Sequence, residues 1–427
     1  MAFKVGVIGA GTVGGGVIET LLANRQVVAD KTGAEVALTH VADLNPDLFS
    51  DYNLSGITIS NDANVLIADP DVDVVCELIG GYEPARTFIL AALNNGKHVV
   101  TANKMLLAMA GPELNEAAIK NGVELRFEAS VAGTIPIIKA IRESLAANNI
   151  NAVYGILNGT CNYILTRMAS EGLPFDDVLQ QAVAFGFAET PPDLDIEGHD
   201  TAHKCQILAS LCYSTPVNLD DIYVEGITKV TGLDVTYAGE MGYQIKLLAV
   251  VRKVKGEVEA RVHPTLVPDA HLLAAVKYEF NAVYVESDIA DATLYYGRGA
   301  GKLPTASAVV ADIVDIARRG DAPAQAPFRY TNAQPLRDMG LREGRYYLRL
   351  TTENHPGVLG SICSILGTHG VSIASCIQKE EQPGVPAHVV LMTHETQESN
   401  VVSAIAEIDG QGFIDEATHM IRVLANA

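Results

Sequence analysis

The first 25 residues constrain the fold most. "FKVGVI" at 3–8 is a short apolar strand, "GAGTVG" at 9–14 is a glycine turn, and "VIETLLANR" continues with helical apolar spacing. In a strand–turn–helix of this kind each glycine has a mechanical reason. Gly9 permits the tight turn, Gly11 lets backbone amides approach a pyrophosphate, and Gly14 lets the helix pack close to its strand. Thr12 and Val13 then open the helix whose amino end faces the phosphates. A second strand, "EVALTHVAD", ends at Asp43, where a carboxylate accepts hydrogen bonds from an adenosine ribose and repels a 2′-phosphate. The following "LNPDLFSD" has no Lys or Arg. The expected cofactor is NAD or NADP, with NAD favoured by Asp43. "VDVVCELIG" at 72–80, a helix near 84–95 and "KHVVTAN" at 97–103 continue the βαβ alternation of a parallel Rossmann-type sheet.

A chain of 427 residues exceeds one hydrophobic core. The pattern divides it into a dinucleotide-binding domain at 1–127 and a central α+β substrate and dimerisation domain at 128–303. The apolar helix at 304–319 is expected to return to the first domain. Residues 320–343 begin with the Pro- and Ala-rich "GDAPAQAPFRYTNAQP" and read as a linker. Strands are expected through 222–286. Residues 344–427 show strand, helix, strand, strand, helix, strand, the order of a ferredoxin-like module.

With 30 basic and 51 acidic residues the formal charge is −21, which argues against nucleic acid and anionic membranes as partners. The glycine turn at the amino end leaves no room for a signal peptide, and no stretch supplies a membrane span. A cytoplasmic location is expected. Six cysteines are scattered without metal-type spacing, as suits buried free thiols. Cys161, in a glycine-rich stretch, could be a nucleophile or a small packed residue.

Several motifs together resemble one family, homoserine dehydrogenase in its form with a C-terminal ACT domain. They are "GAGTVG", "ELIGG" at 77–81, "TANK" at 101–104, "NGTCNYIL" at 158–165, "AETPPDLDIEGHDTAHKCQILASL" at 188–211 and "GAGKLPTASAVVADI" at 299–313. The family's signature runs here from Ala182 and Gly186 through Pro192 and Asp195 to Gly198, Asp200 and Lys204. Pro191 departs from it, where the family usually has Asp, Asn or Ser.

The resemblance implies an NAD(P)-dependent oxidoreductase interconverting L-aspartate 4-semialdehyde and L-homoserine, in threonine, methionine and isoleucine biosynthesis. Lys204, Lys104 and Asp200 would be catalytic, the Asp200 and Lys204 pair lying i,i+4 on one helix face. Glu189, Asp195, Gly159 and Thr160 would bind substrate, with Asp195 or Asp193 near its amine. Lys104 would also touch the cofactor, with Gly299 and Gly301 forming a second cofactor-side loop. Glu128 with carbonyls near Val131 and Gly133 would hold a monovalent cation such as Na+ or K+. Asn354, Gly357, Val358 and Leu359, in "ENHPGVLGSI", would form an effector site for an amino acid, threonine being expected to inhibit. The family often has Asp at the position of Asn354. A homodimer or homotetramer is implied. The competing reading is a non-catalytic sensor of nucleotide and amino acid, which has no need of Lys104, Glu189, Asp200 and Lys204 together.

Overall fold

The computed structural model describes residues 2–187, 191–320, 322–331, 333–379 and 385–425. Its first sheet is wholly parallel. The strands β1 (Phe3–Ile8), β2 (Val36–Ala42), β3 (Thr58–Ser60), β4 (Val74–Glu77), β5 (His98–Thr101) and β6 (Leu125–Arg126) lie in the order 3-2-1-4-5-6. Val5, Val7, Val74 and Cys76 of β1 and β4 enter one core and Ile8 and Val75 another, because helices cover both faces. The strand order reverses between them, and the crevice above this point is where such sheets bind ligands.

Helix Lys302–Arg319 packs against helix Thr12–Ala23. Gly16 makes the approach possible, since a Cβ there would stand 2.5 Å from the Lys302 carbonyl and 3.0 Å from Ala306 Cβ. Val17 and Ile18 on one helix and Val309, Val310 and Ile313 on the other share a core with β1 and β2.

The second sheet is continuous through the rest of the chain. Ala292–Arg298, Phe280–Ser287, Ile150–Ile156, Tyr243–Val254 and Glu257–Pro268 lie side by side, and the tail strand Ile414–Val423 then adds in parallel. Thr265 stands opposite Arg422 and Leu266 opposite Val423. Tyr346–Thr352, Ala387–Thr393 and Ile373–Gln378 complete the sheet, giving the tail the expected βαββαβ order with helices Val358–Thr368 and Glu398–Asp409.

Alternation along Tyr346–Thr352 sends Tyr346, Leu348 and Leu350 to the tail's helices. Tyr347 and Arg349 point the other way and bind Asp234 in helix Gly232–Glu240. That helix corrects the expectation of strands throughout 222–286. Thr231 and Asp234 form a reciprocal capping box that starts it.

The 320–343 stretch is anchored at Phe328 rather than buried along its length. Phe328 is buried and stacks between Phe127 and Tyr330. Its amide donates to Asn115 Oδ1 at 2.8 Å. Among the described residues no helix is long and apolar enough to cross a membrane.

Candidate active site

The glycine turn has the shape its sequence implies. Gly9 has φ +92°, and a Cβ on it would press on the Leu78 carbonyl at 2.9 Å. A Cβ on Gly14 would collide with the Gly9 carbonyl, whereas nothing lies within 4 Å of the Cβ position of Gly11. Gly11 caps helix Thr12–Ala23 without any side-chain bond. The helix therefore presents open amides to a pyrophosphate, and the cradle fits a dinucleotide. Asp43 braces the turn: Oδ2 accepts from the Ala10 amide at 2.7 Å and Oδ1 from the Asn45 amide at 2.9 Å.

A second loop closes on the cradle. Gly301 (φ +127°) caps helix Lys302–Arg319, and a Cβ on Gly299 would run into the Asn281 carboxamide. Asn281 is buried with neither its Oδ1 nor its Nδ2 hydrogen-bonded. A lone Asn in a strand carries no sequence pattern that would single it out.

Beyond β5, Asn103 caps helix Lys104–Asn121 through the Leu106 amide and donates to the Gly81 carbonyl at 2.7 Å. This pins "TANK" to "ELIGG" and sets Lys104 at the carboxyl edge of the parallel sheet. Helix His199–Tyr213 supplies the opposite wall. There Lys204 Nζ donates to Asp200 Oδ2 at 2.6 Å and to the Leu157 carbonyl at 2.7 Å. Lys104 Nζ reaches the other carboxylate oxygen, Asp200 Oδ1, at 3.1 Å.

Asp200 and Lys204 are 7 % and 9 % exposed, so the ion pair is a buried one. Burial alone would raise the Asp200 carboxyl. The ammonium groups of Lys204 and Lys104, with hydrogen bonds from Lys204 and Asn158, instead hold it well below the usual carboxylate range.

Asn158, like Asn281, is a site residue that sequence pattern does not single out as chemical. Its Nδ2 donates to Asp195 Oδ1 at 2.7 Å and to Asp200 Oδ2 at 2.9 Å, while its Oδ1 accepts the Cys161 amide at 2.8 Å. Its available signal was an Asn immediately before an apolar helix, the pattern of an N-cap. It starts helix Gly159–Glu171, whose Gly159 and Thr160 amides donate no hydrogen bond among the described residues. The Thr160 hydroxyl itself donates to the Phe187 carbonyl at 2.6 Å. Cys161 is buried, with Sγ against the Asp195 carbonyl at 3.2 Å, and burial pushes its thiol well up. It is a packed residue, not an activated nucleophile. Glu189 lies outside the described residues.

Both Glu128 oxygens accept backbone amides, from Ile138 and Lys139, at 2.8 Å each. Burial pushes its carboxyl up to about 7. Ala132 and Gly133 are left-handed, at φ 56° and 59°. Among the described residues the buried carbonyls of Val131 and Gly133 accept no hydrogen bond. This donor set, a carboxylate with spare lone pairs and two unbonded carbonyls, is all oxygen, which is the chemistry a hard monovalent cation takes. In the tail, Asn354, Gly357, Val358 and Leu359 all line one cavity of about 350 Å3.

Three family models match this chain: homoserine dehydrogenase, NAD binding domain, over residues 9–128; homoserine dehydrogenase over 136–314; and ACT domain over 346–412. A homoserine dehydrogenase of Neisseria gonorrhoeae is 45 % identical over 427 residues, covering 98 % of each chain. The crystal structure of a homoserine dehydrogenase from Thiobacillus denitrificans superposes with a TM-score of 0.94 at 42 % identity, covering 99 % of this chain and 98 % of that one. A hyperthermophilic archaeal homoserine dehydrogenase in complex with NADPH matches with a TM-score of 0.61 at 26 % identity, over 74 % of this chain and 98 % of its own. A nicotinamide-binding Rossmann sheet, a central sheet domain and an ACT tail thus occur together along nearly the whole length, and the chain belongs to the homoserine dehydrogenase family.

Proposed function

We propose that the enzyme interconverts L-aspartate 4-semialdehyde and L-homoserine, with Lys204 handling the proton at the substrate oxygen. The observation that carries this reading is the buried Asp200 carboxylate between two lysines, one from each wall of the cleft. A bound nicotinamide supplies or takes up the hydride. Lys204 has three N–H donors, and two are occupied by Leu157 and Asp200. The third is left for a substrate oxygen, to which the ammonium donates a proton as the aldehyde becomes an alcohol. Asp200 holds that ammonium in place and aims it. Lys104, whose side chain is 40 % exposed, orients the same oxygen and connects it to solvent. The substrate ammonium goes to Asp195 and Glu189, and its carboxylate to the amides of Gly159 and Thr160.

The same reading takes NAD at least as readily as NADP, a monovalent cation at Glu128, Val131 and Gly133, and a homodimeric or homotetrameric assembly in the cytoplasm. It places the domains at 1–127, 128–303 and 344–427, and threonine in the tail cavity as a feedback inhibitor. The test is absorbance in the reduced-nicotinamide band with homoserine and each oxidised cofactor. No change with either cofactor refutes the reading and returns the chain to a sensor.

A further inference from the structure

Between the central sheet and the tail lies a cavity of about 200 Å3 that none of the chemistry above uses. Arg252, Arg261, Arg342 and Arg345 all line it, with Glu343 and Glu395 also in its wall. Four guanidinium groups around one cavity are unexpected in a chain with 30 basic and 51 acidic residues.

Their counter-charges fall short. Glu259 sits 3.2 Å from Arg252, bonds Arg261, and lies 3.3 Å from Arg337, so one carboxylate serves three guanidinium groups. Among the described residues only Arg337 of these three has a second carboxylate within ion-pair distance, Glu257 at 2.8 Å. Glu343 and Glu395 are exposed, and Glu343 faces Lys255 at 3.9 Å. Among the described residues neither Arg342 nor Arg345 pairs with a carboxylate. Arg342 is 7 % exposed, lies over the Tyr346 ring and donates from Nη2 to the Val423 carbonyl at 3.1 Å, yet its Nε and Nη1 have no partner. A buried cation left this way is costly unless an anion compensates it.

We propose that this cavity binds a small oxyanion, a phosphate or a short dicarboxylate, between Arg252 and Arg261 on the central sheet and Arg342 and Arg345 at the entry to the tail. Planar guanidinium forks match anions with several oxygens. The volume admits such an anion and falls below the roughly 300 Å3 at which pockets for larger organic ligands begin. The site adjoins the Thr265–Arg422 pairing that joins the two parts of the sheet, so a bound anion bridges that joint.

The experiment uses the full chain, titrated calorimetrically with inorganic phosphate and separately with succinate, and melted in each at an ionic strength matched with sodium chloride. We expect saturable binding near one anion per chain, a rise in Tm beyond that in chloride, and at least tenfold weaker affinity in Arg345→Gln and Arg252→Gln with kcat unchanged. Preference for phosphate or for succinate identifies the source of the oxyanion. Arg345→Gln alone suffices if Arg252→Gln fails to fold, because Arg345 takes no part in the Glu259 cluster. Absence of saturable binding by both anions, or wild-type affinity in Arg345→Gln, overturns the proposal.

Discussion

Lys104 and Lys204 bind opposite oxygens of one carboxylate, Asp200, at 3.1 and 2.6 Å, and come to it from opposite walls of the cleft. Removing Lys204 takes away the better buried ammonium and leaves the glycine turn intact. Lys204→Ala is expected to lower kcat about 10²- to 10⁴-fold, the usual worth of a positioned acid or base, with cofactor affinity by fluorescence titration unchanged. Near-normal turnover in that variant would remove Lys204 from the mechanism.

Asn158 holds Asp195 and Asp200 with one amide group, so it acts by positioning. Asn158→Ala loses hydrogen bonds to charged partners and is expected to lower kcat/KM roughly tenfold to a hundredfold. Because Asp195 is the proposed ammonium ligand, KM for homoserine should rise together with the fall in kcat. A fall in thermal stability with wild-type kinetics in the surviving protein would make Asn158 a helix cap only.

How far the sequence could be read depended on the range of each interaction. Gly9, Gly11 and Gly14 act on residues a few positions away, and Asp200 and Lys204 are one helical turn apart, so both motifs show as spacing. Asn158 reaches Asp200 across 42 positions. Asp234 meets Arg349 and His419 across 115 and 185. Nothing in a local pattern records such partners. The Pro- and Ala-rich stretch after 320 reads as a spacer, yet Phe328 is buried on Phe127 because one aromatic in a polar run leaves no period to detect. The joining of the tail to the central sheet was equally invisible, since a strand's sequence does not name its neighbour.

Asp234 ties the tail to the central region by accepting from Tyr347, Arg349 and His419. Burial would raise its carboxyl, but hydrogen bonds and charge from His419 and Arg349 hold it well below the usual carboxylate range. Folding thus lowers this pKa. The stabilisation is fully present above the unfolded value of about 3.9 and is lost as pH falls through the lower folded value. Asp234→Asn should flatten the acid side of the curve of stability against pH. Asp234→Ala should cost about 3–5 kcal/mol at neutral pH, because it strands buried partners. Denaturant melts from pH 7 down to about pH 2, through that value and toward the lower folded one, read both effects; an acid limb unchanged in Asp234→Asn would refute the assignment.

Asp43 follows β2 and accepts the Ala10 amide beside the glycine turn. A 2′-phosphate brought here would meet a fixed carboxylate, and the segment 44–51 contains no basic side chain. We expect kcat/KM with NAD to equal or exceed that with NADP, and Asp43→Ser to move the ratio toward NADP. A strong NADP preference in the unaltered enzyme would show that the phosphate finds its cation elsewhere.

The tail cavity offers a ligand two unlike ends. Gly357, at φ +99°, caps helix Val358–Thr368 without a side-chain bond, leaving amides for a carboxylate. Asn354 lines the same cavity and can accept from an ammonium, but without charge. Asn354→Asp is therefore expected to tighten threonine inhibition several-fold, and Asn354→Ala to weaken it about tenfold. Point variants are preferable to truncation, since deleting the tail strips Ile414–Val423 from Glu257–Pro268 and takes Tyr347, Arg349 and His419 away from Asp234. Threonine is an isomer of homoserine, so inhibition must be titrated at several homoserine concentrations to separate a distant site from competition in the cleft. Allostery requires two sites and a coupling between them. If both variants are inhibited like the unaltered enzyme and homoserine competes threonine away fully, the tail cavity is not the threonine site.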